Sequence, residues 1–251
     1  MENIKNNIIS FIKDYVAGAK ANGVILGMSG GKDSLIVASL CVNAIGKENV
    51  LGVIMPNGAM KDMMVAKETC ELLGIDYNVI DIKNTYDSII NNISPIIKEK
   101  NHNLSTVTTY NVPPRIRMTT LYAIAGSLNY LVANTSNLSE KMVGYTTKWG
   151  DNIGDFAPLL DLTKTEVCEL GISLGLPKNL VYKAPDDGLT GKTDEDNLGI
   201  TYNSLDNLIR HGKKDENYEK IISLYKKSSH KRNAVPYYRT GYENYLIKDN
   251  K

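Results

Sequence analysis

The eight residues Gly27-Met28-Ser29-Gly30-Gly31-Lys32-Asp33-Ser34 constrain this chain more than any other stretch. A short apolar run, Val24 to Leu26, precedes them, and an apolar-rich segment, Leu35 to Ile45, follows. That context reads as strand, glycine turn, helix. Such a turn aims backbone N–H groups at whatever lies above the new helix, and the helix dipole favours a negative guest there. Gly30 and Gly31 remove the Cβ atoms that would hold an anion away from the backbone. With Ser29, Ser34 and Asp33 packed beside the glycines, a phosphate cradle is a better reading than a ligand-free turn.

The kind of cradle follows from spacing. A Walker loop needs G-x-x-x-x-G-K followed at once by Ser or Thr. Lys32 follows Gly31 but precedes Asp33, and the leading glycine falls at the wrong distance. No G-x-G-x-x-G fingerprint occurs. What remains, S-G-G-x-D-S, resembles the pyrophosphate loop of the ATP pyrophosphatases, which cut ATP between its α and β phosphates.

The rest of the chain alternates short apolar runs with amphipathic segments. Ile4, Ile8, Ile12, Tyr15 and Val16 recur at helical spacing. Val24–Met28, Val50–Met55, Asn78–Ile82 and Leu131–Ala133 read as strands. Helices are predicted from the loop to Ile45, over Met63–Leu73 with Gly74 as cap, along the face Ile89, Ile90, Ile93, Ile96, Ile97, and from about Arg115 to Tyr130. Later helices are predicted over Thr163–Gly175, with Thr163 and Glu166 forming a capping box, and at Leu205–Ile209 and Tyr218–Tyr225. This pattern predicts an α/β fold: a Rossmann-like, doubly wound parallel sheet flanked by helices, with a helical C-terminal part. Residues 1–251 read as one domain, with a loop-bearing core over about 20–165 and a helical, loop-rich part over about 166–251. In such sheets ligands sit beyond the carboxyl ends of the strands, where Ser29 and Thr135 both fall.

Composition excludes several classes. Hydrophobic residues make up 42% of the chain, and no apolar run approaches the ~20 residues of a membrane span. No signal-peptide pattern opens it. The net charge of +1 gives no electrostatic reason to expect nucleic acid or an anionic membrane. Cys41, Cys70 and Cys168 form no C-x-x-C pair and read as buried thiols of a cytoplasmic protein.

If ATP binds, magnesium follows, held by carboxylates and phosphate oxygens. Asp33 stands in the first helical turn, and Glu140 is a candidate second ligand from another strand end. Arg115 and Arg117 lie two residues apart on a predicted helix, so they point to nearly opposite sides and at most one faces a given ligand. Lys148, Asp155 and Lys164 fall in or beside a stretch dense in Gly, Thr and Asp, and His230-Lys231-Arg232 makes a basic tail.

Taken together, the chain resembles ammonia-dependent NAD synthetases over nearly its whole length. The resemblance rests on the pyrophosphate loop, Arg115-Ile116-Arg117-Met118, Thr135-Ser136-Asn137 with Glu140, Gly144 to Asp151, Leu162-Thr163-Lys164, Lys183-Ala184-Pro185, Asp194-Glu195 with Leu198 to Tyr202, and His230-Lys231-Arg232. It implies ATP-dependent amidation of deamido-NAD with ammonia, giving NAD, AMP and pyrophosphate. It implies that Gly27, Met28, Ser29, Gly30, Gly31, Lys32, Asp33 and Ser34 hold ATP with Thr135 and Lys164, and that Asp33 and Glu140 hold magnesium. Asp33 and Lys164 are the implied catalytic pair. Arg115, Lys148, Asp155, His230 and Lys231 are the implied deamido-NAD ligands, which selects Arg115 over Arg117. The resemblance further implies a homodimer with a dinucleotide site at its interface; Met118, Leu121, Tyr122, Ile124, Ala125 and Leu128 are the predicted contact surface, or else core. Two positions depart from the family pattern. Some members have Ser or Thr where this chain has Asp186, an ATP contact by position, and some carry an arginine where it has Ile54-Met55-Pro56. Only about two dozen residues precede the loop, so free ammonia, or a separate protein partner, rather than a glutamine-hydrolysing domain of this chain is the expected nitrogen source. The Asp- and Gly-rich stretch Asp186–Asn197 is the predicted lid over the site. The competing readings are another ATP pyrophosphatase, such as a GMP synthetase core, or a non-catalytic adenine-nucleotide sensor.

Overall fold

The computed structural model describes residues 1–183, 193–238 and 240. Its centre is a four-stranded, all-parallel sheet in the order β3-β2-β1-β4. The strands are β1 (Gly23–Gly27), β2 (Val50–Ile54), β3 (Asp76–Val79) and β4 (Tyr130–Val132). β1 pairs with β2 from Val24↔Val50 to Gly27↔Val53, and with β4 from Gly23↔Tyr130 to Ile25↔Val132. Strand order reverses between β1 and β4, which opens a crevice at their carboxyl ends.

Side-chain alternation along β1 explains the two faces. Val24 and Leu26 pack with α1 (Glu2–Gly18), α2 (Lys32–Ile45), α3 (Met63–Leu73) and α7 (Lys164–Ser173). Ile25 points the other way, with Val53 and Val132, against α4 (Lys83–Glu99) and α5 (Thr106–Leu128). Burial on both faces is why these strands read as continuous apolar runs. Short helices α6 (Leu138–Val143) and α8 (Lys178–Val181) precede the C-terminal part. There α9 (Asp194–Leu198), α10 (Tyr202–His211) and α11 (Tyr218–Lys227) close a small separate core around Leu198, Tyr202, Leu205 and Ile221, followed by α12 (Ser229–Arg232).

Several boundaries differ from the sequence-based expectation. β3 begins at Asp76, two residues before the predicted Asn78, and ends at Val79. Beyond it the chain still runs beside β2, since Ile80 N donates to Ile54 O and Ile82 N to Pro56 O. α5 begins at Thr106 rather than near Arg115. Pro113 and Pro114 lie inside it, and the Ser105 side chain caps it by accepting from Thr108 N. A proline pair normally ends a helix; here both rings are buried, and tertiary packing overrides the local preference. α4 forms as predicted, yet none of its residues is fully buried, and Ile96 is 57% exposed. Asp194 to Asn197, predicted as loop, is helical under a Thr193–Asp196 capping box; residues 186–192 of the predicted lid, Asp186 included, lie outside the described residues. α6 and α8 were not predicted.

Candidate active site

β1 ends at Gly27, and Met28 N still donates to Val53 O at 2.9 Å, so the chain leaves the sheet at a fixed angle. The turn that follows is braced by its own hydroxyls. Ser34 Oγ donates to Gly31 O at 2.9 Å, and Gly31 N donates to Ser29 Oγ at 3.2 Å. Gly30 has φ +76°, and a Cβ there would lie 2.9 Å from Asp62 O. Glycine is required at that position by conformation and by close approach alike. Gly31 is the N-cap of α2 and supplies no side-chain cap, which leaves the first N–H groups of a 14-residue helix open to an anion.

The second wall comes from the loop after β4. Asn134 Nδ2 donates to Asp151 O and Ile153 O, both at 2.9 Å, and Ser136 N donates to Asn134 Oδ1 at 2.8 Å. Asn137 then caps α6: its Oδ1 accepts from Glu140 N at 3.0 Å, and Glu140 Oε2 accepts from Asn137 N at 3.3 Å. This box leaves Glu140 Oε1 aimed into the crevice.

Lys164, the first residue of α7, joins the two walls. Its Nζ donates to Glu140 Oε1 at 2.7 Å and Asp33 Oδ2 at 2.9 Å, lies 3.9 Å from Asp194 Oδ2, and sits 5.0 Å from the Tyr202 ring centroid. Thr163 caps α7 with Glu166 as predicted, and Lys164 N donates to Ser139 Oγ at 3.0 Å, so the lysine is fixed at both ends. Burial alone would depress its ammonium, but Asp33 and Glu140 outweigh that and hold it well above the ordinary lysine value. Burial pushes the Glu140 carboxyl up and Lys164 opposes; Asp33 pushes the same way as burial. On the other side of the loop, burial and then the Lys164 charge pull the Lys32 ammonium down.

Asp33 Oδ1 is buried without a partner. Two hard carboxylates from separate elements, one with an oxygen to spare, fit a magnesium ion that completes its shell with phosphate oxygens. Among the described residues no three His, Cys, Asp or Glu groups gather closely enough to hold a metal by themselves.

These elements surround a cavity of about 970 Å³, at the top of the range for small-molecule sites. Gly27, Met28, Ser29, Gly31, Lys32, Asp33, Ser34, Thr135 and Lys164, the residues expected to hold ATP, all line it, as does Glu140, the expected second magnesium ligand. Gly30 does not line it and instead seats the loop against Asp62. Toward β2 the wall turns apolar, with Met55, Tyr86, Met118 and Leu121.

The residues expected to bind the dinucleotide divide. Lys231 lines the cavity, its Nζ donating to Gly144 O at 2.7 Å and Thr146 O at 2.6 Å. Arg115, Lys148, Asp155 and His230 are not among the lining residues. Arg115 is exposed and its Nε donates to Lys148 O at 3.2 Å. Asp155 Oδ2 accepts from Val132 N at 2.7 Å, completing the outer edge of β4, while Oδ1 accepts from the Tyr122 hydroxyl at 3.3 Å. His230 is exposed on α12. The arginine that reaches the cavity is Arg117, half-buried and bonded to Met55 O, contrary to the expectation that it would be the solvated one.

Asp194 and Asp151 also line the cavity; both stand in segments that carry the family resemblance, but neither was assigned a role in the site. The Thr193-x-x-Asp196 capping pattern was available as a signal for the helix that presents Asp194. Asp151 closes the motif Gly144 to Asp151, which was the available signal for it; its Oδ1 accepts from Thr147 N at 2.6 Å. The residue is exposed on the cavity side, and desolvation by the surrounding protein pushes its carboxyl up. The tail is held by Arg232, whose Nη1 donates to Met142 O at 3.0 Å and Ser228 Oγ at 2.7 Å.

Comparisons with known proteins agree with this geometry. A profile of the NAD synthase family matches residues 4–235. The chain is 45% identical to an NH3-dependent NAD+ synthetase of Thermococcus sibiricus over 241 residues, covering 90% of this chain and 92% of that one. An NMN synthetase structure from Francisella tularensis superposes with a TM-score of 0.85 at 34% identity, covering 94% and 97% of the two chains. An NH3-dependent NAD synthetase from Campylobacter jejuni gives 0.75 at 29% identity, covering 94% and 98%. By profile and by identity, the chain that builds this braced loop and the lysine–carboxylate cluster beside it belongs to the NAD synthase family.

Proposed function

We infer that this chain makes NAD by ATP-dependent amidation of deamido-NAD with ammonia, releasing AMP and pyrophosphate. The observation that carries this reading is the convergence of the uncapped start of α2 with Asp33, Glu140 and Lys164 at the reversal point of the sheet. A carboxylate has no leaving group. Its oxygen therefore attacks the α-phosphorus of ATP, the bond to the β-phosphate oxygen breaks, and pyrophosphate leaves. Ammonia then adds to the acyl carbon, loses a proton, and AMP departs with the carbon–oxygen electron pair. Ser29, Gly31 and the first turn of α2 would hold the departing pyrophosphate, and Lys164 would neutralise charge developing at the α-phosphate. Asp33 and Glu140 would hold magnesium, which supplies further neutralisation at the phosphates. Thr135, which lines the cavity on the β4 side, would contact ATP from there.

Arg115, Lys148, Asp155 and His230 lie outside the cavity, so we assign them to the outer half of the dinucleotide, at the interface of a homodimer. Supporting this, α5 splits lengthwise: Met118, Leu121 and Ala125 are core, whereas Tyr122 and Leu128 are 37% and 42% exposed. Phe11, Tyr15 and Trp149 add exposed aromatic surface. Among the described residues no helix is long and apolar enough to cross a membrane, and all three cysteines are free, in keeping with a cytoplasmic setting.

The likeness to the Francisella protein raises a second acceptor, the mononucleotide acid, with NMN as product. One incubation separates these readings: protein, magnesium, ATP and ammonium with deamido-NAD, nicotinic acid mononucleotide or xanthosine monophosphate. AMP and NAD in equal amounts from deamido-NAD alone are expected. ADP as product, or turnover with xanthosine monophosphate instead, would sink the proposal.

A further inference from the structure

The cations of the cavity are not equally occupied. Lys164 spends its ammonium on Asp33 and Glu140. Lys183 pairs with Asp62 at 2.8 Å and donates to Gly30 O at 3.3 Å. Lys231 donates to two backbone carbonyls. Lys32 and Arg117 stand apart: among the described residues neither forms an ion pair, although both line the cavity. Lys32 belongs to the phosphate loop already described. Arg117 has no role in anything derived so far.

Its geometry is specific. Nε–H donates to Met55 O at 2.9 Å, at the carboxyl end of β2, and this is the one hydrogen bond the side chain makes among the described residues. A guanidinium anchored through Nε presents both Nη groups as a planar fork whose direction is set by the strand end. The nearest compensating charge, Asp151, forms no ion pair with it, its own carboxylate being held by Thr147 N. A desolvated cation whose two Nη groups find no partner among the described residues is costly unless an anion arrives. A tie between α5 and β2 needs only the Nε bond, and would leave the fork without purpose. The fork matches the oxygens of a carboxylate or of a phosphate, the two oxyanions that the proposed reaction brings into this cavity.

Resting on the ligase reading above, we propose that Arg117 binds a substrate oxyanion, its two Nη groups holding either a phosphate of ATP or the carboxylate of the acceptor. It would then face the reacting centre from the β2 side, opposite the α2 start and Lys164. Arg115, two residues away, serves the outer surface, as helix geometry requires of such a pair.

The test uses Arg117→Gln and Arg117→Lys in the full chain, reading ATP affinity by titration without acceptor, both KM values and kcat, and thermal stability. Loss of a bidentate charged contact predicts a fall in kcat/KM of about 10- to 100-fold for Arg117→Gln. Arg117→Lys, which keeps the charge, should recover part of it. A weakened ATP affinity with an unchanged acceptor KM identifies a phosphate; a raised acceptor KM with ATP affinity intact identifies the carboxylate. Wild-type affinities and turnover in a folded Arg117→Gln overturn the proposal. So does a loss that follows melting temperature alone and that Arg117→Lys repairs in stability without any change in either substrate's binding. If Arg117→Gln fails to fold, Arg117→Lys decides: unaltered affinity for both substrates overturns it. Should the wild-type protein form no NAD at all, the ligase reading falls by itself and takes the acceptor carboxylate with it; only the ATP phosphate is then left for Arg117, and an unchanged ATP affinity in the variants overturns the proposal.

Discussion

At the scale of single residues, Lys164 is the point through which the site is wired. Its ammonium contacts carboxylates from α2 and α6 and stands within 3.9 Å of one from α9, elements far apart in sequence. Because Asp33 and Glu140 hold it above the ordinary lysine value, it stays cationic across the working pH range and is suited to electrostatic work rather than proton transfer. Asp33→Asn should therefore leave the fold intact and stop turnover. It should also remove the thermal stabilisation that magnesium and ATP give the wild type, about 2.7 kcal/mol at a ligand concentration 100-fold over Kd. A full ligand-induced shift in the melting temperature of the variant would refute the assignment. Glu166 supplies a separate test by pH. Burial pushes its carboxyl up, but hydrogen bonds from Arg210 and from Thr163 outweigh that and hold it below the ordinary glutamate value. A depressed carboxyl stabilises the fold above its unfolded-state value, and that stability is lost as pH falls through the folded value. Glu166→Gln should thus be less stable than wild type in urea at pH 7, with the gap closing under acid conditions. A gap that persists at pH 2 would show that packing, not charge, is responsible.

At the scale of elements, capping boxes do much of the positioning. Asn137 and Thr163 start α6 and α7, and each box places a site residue at or near the first turn: Glu140 and Lys164. Thr163→Ala should cost about 1 kcal/mol, the usual value of an N-cap. It should also lower kcat more than a remote substitution of equal cost, because Lys164 adjoins the cap. Denaturant melts and steady-state kinetics on the same sample check both. These boxes were legible in the sequence for Thr163 and were missed for Asn137, where a three-residue polar run hid the start of a short helix. β1 and β2 were legible because each is a continuous apolar run buried on both faces, whereas β3, Asp76–Val79, is a polar and largely exposed strand whose start was placed two residues late. α5 was half legible, since its Pro113–Pro114 pair looks like a boundary until the rings are seen buried.

At the scale of the whole molecule, the partly covered faces of α4 and α5 and the aromatic surface of α1 remain after the core is accounted for. Homodimerisation through that side predicts a particle of twice the chain mass in analytical ultracentrifugation. Leu128→Arg, at an exposed position on α5 away from the cavity, should shift it to the monomer mass. If wild type sediments as a monomer at assay concentration, Arg115, Lys148, Asp155 and His230 need another explanation.

The sequence by itself determined the phosphate loop, the order of strands and helices, and the caps, because each depends on residues within a few positions of one another. Turn glycines, strand runs and N-caps are local chemistry. Only the tertiary structure decided which distant groups meet. Lys164 and Asp33, 131 residues apart, are brought together by the packing of α7 on α2. Helical geometry says that Arg115 and Arg117 face opposite ways; it does not say which way is inward. That choice is made when Ile116, Met118 and Leu121 seat α5 on the sheet, turning Arg117 to the carboxyl end of β2 and Arg115 to the surface.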